Sequence, residues 1–251
     1  MAATNRRWTL AALAALCLMG TVFAQGCAFG RPGEEACFTR RWSWAHFCWR
    51  KIEKQRMFFD NRNYYDRNGN FLEDAAKVAY MDFLEWNGYE LNPRFEENLW
   101  VTDFGLGKFT SVGMGVLVWA NEPKDKGDFT GMEVLLLPMQ IVPEHWYVQT
   151  PQAKPKLKTL HCRVGSVYLY GEGKPTPEAQ AKLPKLLKLH TTVWKERILI
   201  AGETAPLPNP SEKRWKQGGP AGAILTEYST FHDLGALRFT NPNVKPKRKE
   251  T

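Results

Sequence analysis

Cysteine and histidine are scarce, five of each in 251 residues, and no two cysteines have zinc-finger spacing. That argues against a metal cluster built on thiolates. Gly105-Leu106-Gly107 has no third glycine at the required offset and opens no helix, which argues against a dinucleotide site. There is no GxSxG elbow for a nucleophilic serine. Asp66, Asn68 and Asn70 begin like a calcium loop, but the glycine and the closing acid fall at the wrong places. Proline in Asn209-Pro210-Ser211 blocks glycosylation there. No internal repeat and no long low-complexity segment interrupts the chain. Apolar content of 43% and charged content of 24% are those of a globular protein.

Charge is unevenly placed. Lys plus Arg is 34 against 26 Asp plus Glu, a net charge of +8. Residues 1–60 hold nine Lys/Arg and four acids, contributing +5, and Lys245 to Lys249 (KPKRK) adds four more cations. The middle is near neutral, so the globular part is no nucleic-acid surface.

The first residues read as an export signal over 1–24. Arg6-Arg7 precedes the apolar stretch LAALAALCLMGTVFA, and Val22 and Ala24 stand at the −3 and −1 positions of a cleavage site. Fifteen apolar residues fall short of the roughly 20 that span a bilayer. A twin-arginine route, acylation at Cys27 and an uncleaved anchor remain open alternatives. Cys17 would leave with the signal, and Cys27, Cys37, Cys48 and Cys162 would then meet an environment that permits disulfides. Residues 25–60 are Trp-rich and basic. They read as a loosely helical appendage, either a cover over the core or, across 38–59, a membrane-surface contact.

Residues 70–87 read as a helix. Leu72, Ala75, Ala76, Ala79, Phe83 and Trp86 recur at helical spacing, Asn70 with Glu73 forms a capping-box start, and Gly88 supplies the stop. From Leu99 the period falls to two. Apolar runs at 112–120, 132–142, 164–171, 197–202, 222–229 and 237–239, separated by Gly and Pro, imply an antiparallel sandwich or barrel. The Pro- and Lys-rich insert 172–188 reads as a surface excursion.

Pro143-Glu144-His145-Trp146-Tyr147 ends one of these runs, and alternation aims His145 and Tyr147 the same way. A further strand starts at Lys156-Leu157-Lys158 and runs into GSVYLYGEG; a third region runs from GETAPLPNPSEKRWKQGG into PAGAILTEYSTFHDLGALRFTNP. With NLWVTDFGLGKFTSVGMGVLVW and EVLLLPMQIVPEH upstream, this order resembles the cupin-fold sugar isomerases typified by D-lyxose ketol-isomerase, over about residues 60–243.

The resemblance implies an all-β protein, a cupin double-stranded β-helix (jelly-roll barrel), here over 99–243; the residues themselves add an N-terminal helical extension within 25–98 and a basic tail over 244–251. It also implies aldose–ketose interconversion through an enediolate, with one divalent metal, manganese or zinc, held by two histidines in H-x-H, a glutamate and a later histidine. Only the first ligand position keeps its residue, His145; the others hold Tyr147, Lys158 and Arg214. Lysine and arginine are donors rather than ligands, so they turn a cation site toward anions. Glu227 is the candidate base. Tyr147, Lys158, Arg214 and Trp215 are candidate substrate contacts, with Trp146 a further stacking surface. His161, out of phase with Lys158, reads as facing the other way, His190 as a surface residue and His232 as a structural turn residue. Three functions stay open: an isomerase with an altered metal shell, a non-catalytic carbohydrate- or anionic-sugar-binding cupin without metal, and a structural or membrane-surface protein. A homodimer is also compatible.

Overall fold

The computed structural model describes residues 59–177, 179 and 183–245. The export signal, the Trp-rich segment through residue 58, Cys27, Cys37 and Cys48, and the end of the basic tail lie outside the described residues.

Helix α1 spans Glu73–Trp86 and the short α2 spans Pro93–Asn98. The strands are β1 (Leu99–Thr102), β2 (Met114–Glu122), β3 (Phe129–Leu136), β4 (Ile141–Tyr147), β5 (Lys158–Gly171), β6 (Lys195–Ile200), β7 (Thr204–Leu207), β8 (Arg214–Ser229) and β9 (Leu237–Phe239), with the single-turn helix α3 (Lys185–Lys188) between β5 and β6. This is the antiparallel cupin architecture expected.

Two long strands organise it. The C-terminal half of β8 lies between β3 and the first half of β5, while its N-terminal half lies between β4 and the second half of β5. Strands β5 and β8 therefore belong to both halves of the barrel. They cross where their register shifts, near Gly165 and Gly222, which have φ of +71° and +79°. A Cβ on Gly165 would stand 2.1 Å from the carbonyl oxygen of Gly222. Gly165→Ala is expected to cost at least about 2 kcal/mol in denaturant unfolding, since it adds backbone strain to a clash against main chain. An unchanged midpoint would contradict this crossing.

Alternation divides β3. Met132, Val134 and Leu136 face the barrel interior, while Leu135 and, just beyond the strand, Leu137 face α1. Helix α1 meets them with Ala76, Tyr80, Phe83 and Leu84, so the sheet has one apolar layer inside and one beneath the helix. The Tyr80 hydroxyl donates to Gln140 Oε1 at 2.6 Å, and Gly115 leaves room for the Tyr80 ring.

Three sequence expectations change. The N-cap of α1 is Leu72, without a side-chain cap; Asn70 instead donates its backbone and side-chain N–H groups to Asp66 in the preceding turn. The run 132–142 is two strands, because the chain turns at Met139 with φ of 60° while staying apolar around the corner. The insert after β5 is no free excursion: Leu183 and Leu187 within it, and Val193 just after it, join the core against Trp215.

Candidate functional site

A cavity of about 390 Å³ opens between the two halves of the barrel. Trp100, Phe104, Met114, Met132 and Phe239 make much of its wall apolar; His145, Tyr147, Lys158, Lys216, Glu227 and His232 supply its polar groups. A smaller cavity of about 260 Å³ shares His145, Lys158 and Lys216 with it and adds Arg214 and the polar residues Glu172, Lys195 and Glu212.

At the junction one carboxylate faces several cations. Glu227 Oε1 is 2.5 Å from Lys156 Nζ, and Glu227 Oε2 is 3.4 Å from Lys158 Nζ. Glu227, Lys156, Lys158 and Lys216 are all buried, between 1% and 6% exposed. The backbone explains the convergence. Glu227 pairs in register with Leu160, two residues along β5 from Lys158, so alternation puts both side chains on the interior face. Lys216 sits opposite Leu169 and Val142 on the same long β8.

Burial alone would raise the Glu227 carboxyl, but the charges of Lys156, Lys158 and Lys216 outweigh it and hold the group well below the ordinary range. Burial lowers all three lysines. For Lys158 the neighbouring Lys216, Lys156 and Arg214 add to burial, Glu227 opposes them, and the result is about 7. Lys156 also donates to His232 Nδ1 at 2.8 Å, so it is occupied on two sides. Lys158 has only the long contact to Glu227, with the Tyr147 ring centroid 5.2 Å away.

His145 donates from Nδ1 to the Pro143 carbonyl at 2.8 Å, which leaves Nε2 as the acceptor nitrogen. Burial, then Lys158 and Lys216, keep it neutral by lowering its pKa well below the usual value. Burial and the nearby Glu227 charge push the Tyr147 phenol far up, so it remains protonated. Arg214 sits opposite His145 in register. It donates from Nε to the Glu212 carbonyl at 3.2 Å and from Nη2 to the Asn209 carbonyl, while its buried Nη1 finds no partner among the described residues.

The structure places His145, Tyr147, Lys158, Arg214 and Glu227 around these two cavities. Trp215 is different. It stacks on Tyr170 with centroids 3.8 Å apart, meets Trp194 edge-on and donates Nε1–H to the Val193 carbonyl at 2.7 Å. It reaches the smaller cavity alone, chiefly as packing. Trp146 carries Lys213 Nζ at 5.4 Å from its ring centroid, away from both cavity walls. His161 bonds Thr204 on the outer side, as its phase implied.

Sequence reading missed three members of the site. Lys156, expected as the first residue of a strand, lies just before β5, which begins at Lys158. Lys216 is hidden between two buried neighbours, Trp215 and Gln217. His232 reads as a turn residue, yet it lines the larger cavity and holds Lys156. The available signal was spacing: Lys216 is two residues from Arg214 on one strand and shares its face.

The donor chemistry at the four resemblance positions is a neutral imidazole, a protonated phenol, an amine among cations and a guanidinium. Among the described residues there is no group of three His, Cys, Asp or Glu arranged to hold a metal ion. Cys162, the one cysteine among the described residues, is a buried free thiol.

Fold and site together define a cupin with a small-molecule cavity. No family model matches the chain. It is 39% identical to the D-lyxose ketol-isomerase of a Thermofilum species over 174 residues, 69% of this chain and 94% of that protein. It is 35% identical to the D-lyxose ketol-isomerase of Cohnella laeviribosi, over 71% of this chain and 94% of that one. Among solved structures, the Cellulomonas parahominis L-ribose isomerase with L-ribose superposes with a TM-score of 0.58 at 14% identity, over 73% of this chain and 96% of that one. The chain belongs to the D-lyxose ketol-isomerase family of cupin sugar isomerases.

Proposed function

We propose that this family member binds an acidic sugar, an aldonate or uronate, in a barrel where two of the four positions that the family uses for metal ligands hold the cations Lys158 and Arg214. The observation that carries the reading is the charge imbalance at the junction: one buried carboxylate, Glu227, among three buried lysines, beside Arg214 with an orphaned buried N–H donor. Excess positive charge in a low-dielectric interior is relieved by a bound anion, and charge-assisted hydrogen bonds to it are the stronger kind. A sugar carboxylate at Lys216 and Arg214, with the Lys158 charge nearby, would leave the sugar hydroxyls to Glu227, Tyr147 and His145. Its apolar C–H faces would meet Trp100 and Phe104 in the larger cavity.

A manganese or zinc ion does not fit the same residues. Charged lysine and arginine present no lone pair, the Tyr147 phenol keeps its proton, and the remaining cations would repel a dication. No step through a metal is derived. Glu227 also suits binding better than isomerisation: a carboxylate held ionised by three lysines accepts hydrogen bonds well but is a weak base for a C2 proton.

Calorimetric titration with D-glucuronate and with D-lyxose tests the reading. The acid is expected to bind at least about tenfold tighter, the equivalent of about 1.4 kcal/mol. Equal affinity, or turnover of D-lyxose to its ketose, would overturn it. Affinity for the acid is also expected to decline as pH rises above about 7, by up to about tenfold per pH unit, because Lys158 adds a positive charge beside the bound anion only in its protonated form. A flat profile between about pH 6 and about pH 9 would show that Lys158 takes no part.

A further inference from the structure

The three lysines of the junction are not equivalent. Lys156 lies outside both cavity walls and is consumed by Glu227 at 2.5 Å and His232 at 2.8 Å. Lys216 lines both cavities. Lys158 lines both as well, and it alone combines cavity access with a carboxylate close by, 3.4 Å from Nζ but not locked to it. An amine desolvated beside other cations, with open space in front of it, is the arrangement that makes lysine a nucleophile toward carbonyls. Open-chain sugars present such a carbonyl.

We propose that Lys158 is a carbonyl-capturing residue that forms an imine with the aldehyde carbon of an open-chain sugar in the barrel cavity. The free amine attacks that carbon, and one of its protons passes to the oxygen, giving a carbinolamine. The C–O bond then breaks and water leaves, taking the second nitrogen proton. An aldehyde and Lys158 thus give an imine and one water, with no change in oxidation state. When the imine nitrogen takes up a proton from solvent, Glu227, beside Nζ, accepts its hydrogen bond. Lys156 holds Glu227 in place, and Lys216 with Arg214 would bind a carboxylate elsewhere on the same molecule. This inference rests on the reading of the cavity as a sugar site.

The test uses the full chain with limiting glyceraldehyde, an aldehyde small enough to enter, and sodium cyanoborohydride to reduce any imine to a stable amine. Peptide mapping by mass spectrometry then locates the reduced three-carbon adduct. Label at Lys158 well ahead of exposed lysines such as Lys174, and its loss in Lys158→Arg, is the expected result. Arginine keeps the positive charge and removes the nucleophile, and its melting temperature reports whether the variant folds. A second readout needs no variant: excess D-glucuronate should protect Lys158 and leave Lys174 labelling unchanged. Adduct spread over surface lysines, with Lys158 no more labelled than Lys174, would overturn the proposal. The two readings fail separately. Saturable D-glucuronate binding without a Lys158 adduct overturns imine formation alone, whereas a Lys158 adduct without D-glucuronate binding overturns the acid-sugar reading alone.

Discussion

Glu227→Gln is expected to lose about 3–5 kcal/mol of folding stability, the largest effect of any single substitution in the barrel. Glutamine keeps the volume and one hydrogen-bonding oxygen, so packing contributes little to the loss. What disappears is the one negative charge that Lys156 and Lys158 touch, at 2.5 and 3.4 Å, in a site where both are buried. Removing one partner of a buried ion pair leaves its desolvation uncompensated, which is worse than never having built the pair. The pH dependence has a definite sign. Lys158 is already lowered to about 7 from the usual 10.5, so between these values the unfolded chain binds more protons and stability rises with pH. Without Glu227 the lysines fall further, so this rise steepens and the deficit of the variant shrinks toward high pH. Urea unfolding at about pH 6 and about pH 9 measures both the deficit and its trend. Replacing the group together, as Lys156→Met, Lys158→Met and Glu227→Leu, is expected to recover much of the loss, because apolar residues of similar size need no partner. A deficit under about 1 kcal/mol for Glu227→Gln, or one that grows with pH, would show that the cluster is solvated rather than buried.

The second large effect is a gain. Tyr147→His, Lys158→Glu and Arg214→His together are expected to create divalent-metal binding at micromolar affinity or better, about 8 kcal/mol or more. The three changes supply two imidazoles and a carboxylate to join His145 and remove two cations from the junction. The structure adds a refinement. Lys216 still lines the same cavity, so adding Lys216→Met should tighten the metal further by removing another positive charge from the cavity wall. Titration with manganese and zinc, with metal content per chain as a check, measures this. No gain in the triple variant would mean that the resemblance positions do not converge on one ion.

How far the sequence is legible depends on which physical rule decides each residue. Period-two alternation is strict within a strand, so the common orientation of His145 and Tyr147 follows from spacing alone. The burial of Lys158 does not, because it depends on β5 pairing with the Glu227 strand far along the chain. The stop of α1 at Gly88 is equally local, since the chain there needs φ of 81°. Rules that depend on partners distant in sequence fail. The apolar run through Leu137 and Val142 hides a corner because both strands flanking it are buried, and only tertiary context shows Met139 turning. Asn70 has the composition of a cap, but Asp66 competes for its N–H groups and wins. Lys156, read as a strand start, and His232 lie outside the strands, and they enter the site only because the segments before β5 and after β8 close on each other. The insert 172–188 has a surface composition, yet Leu183 and Leu187 are buried in the same core cluster as Trp215.

The most direct test of the account is the metal content of the full chain, purified, loaded with manganese and with zinc, desalted and measured by elemental analysis. The account predicts background metal, with acidic-sugar binding unchanged by a chelator. Close to one tightly held metal per chain, with sugar binding lost on chelation, would contradict it and return the site to the metal chemistry of the isomerase family.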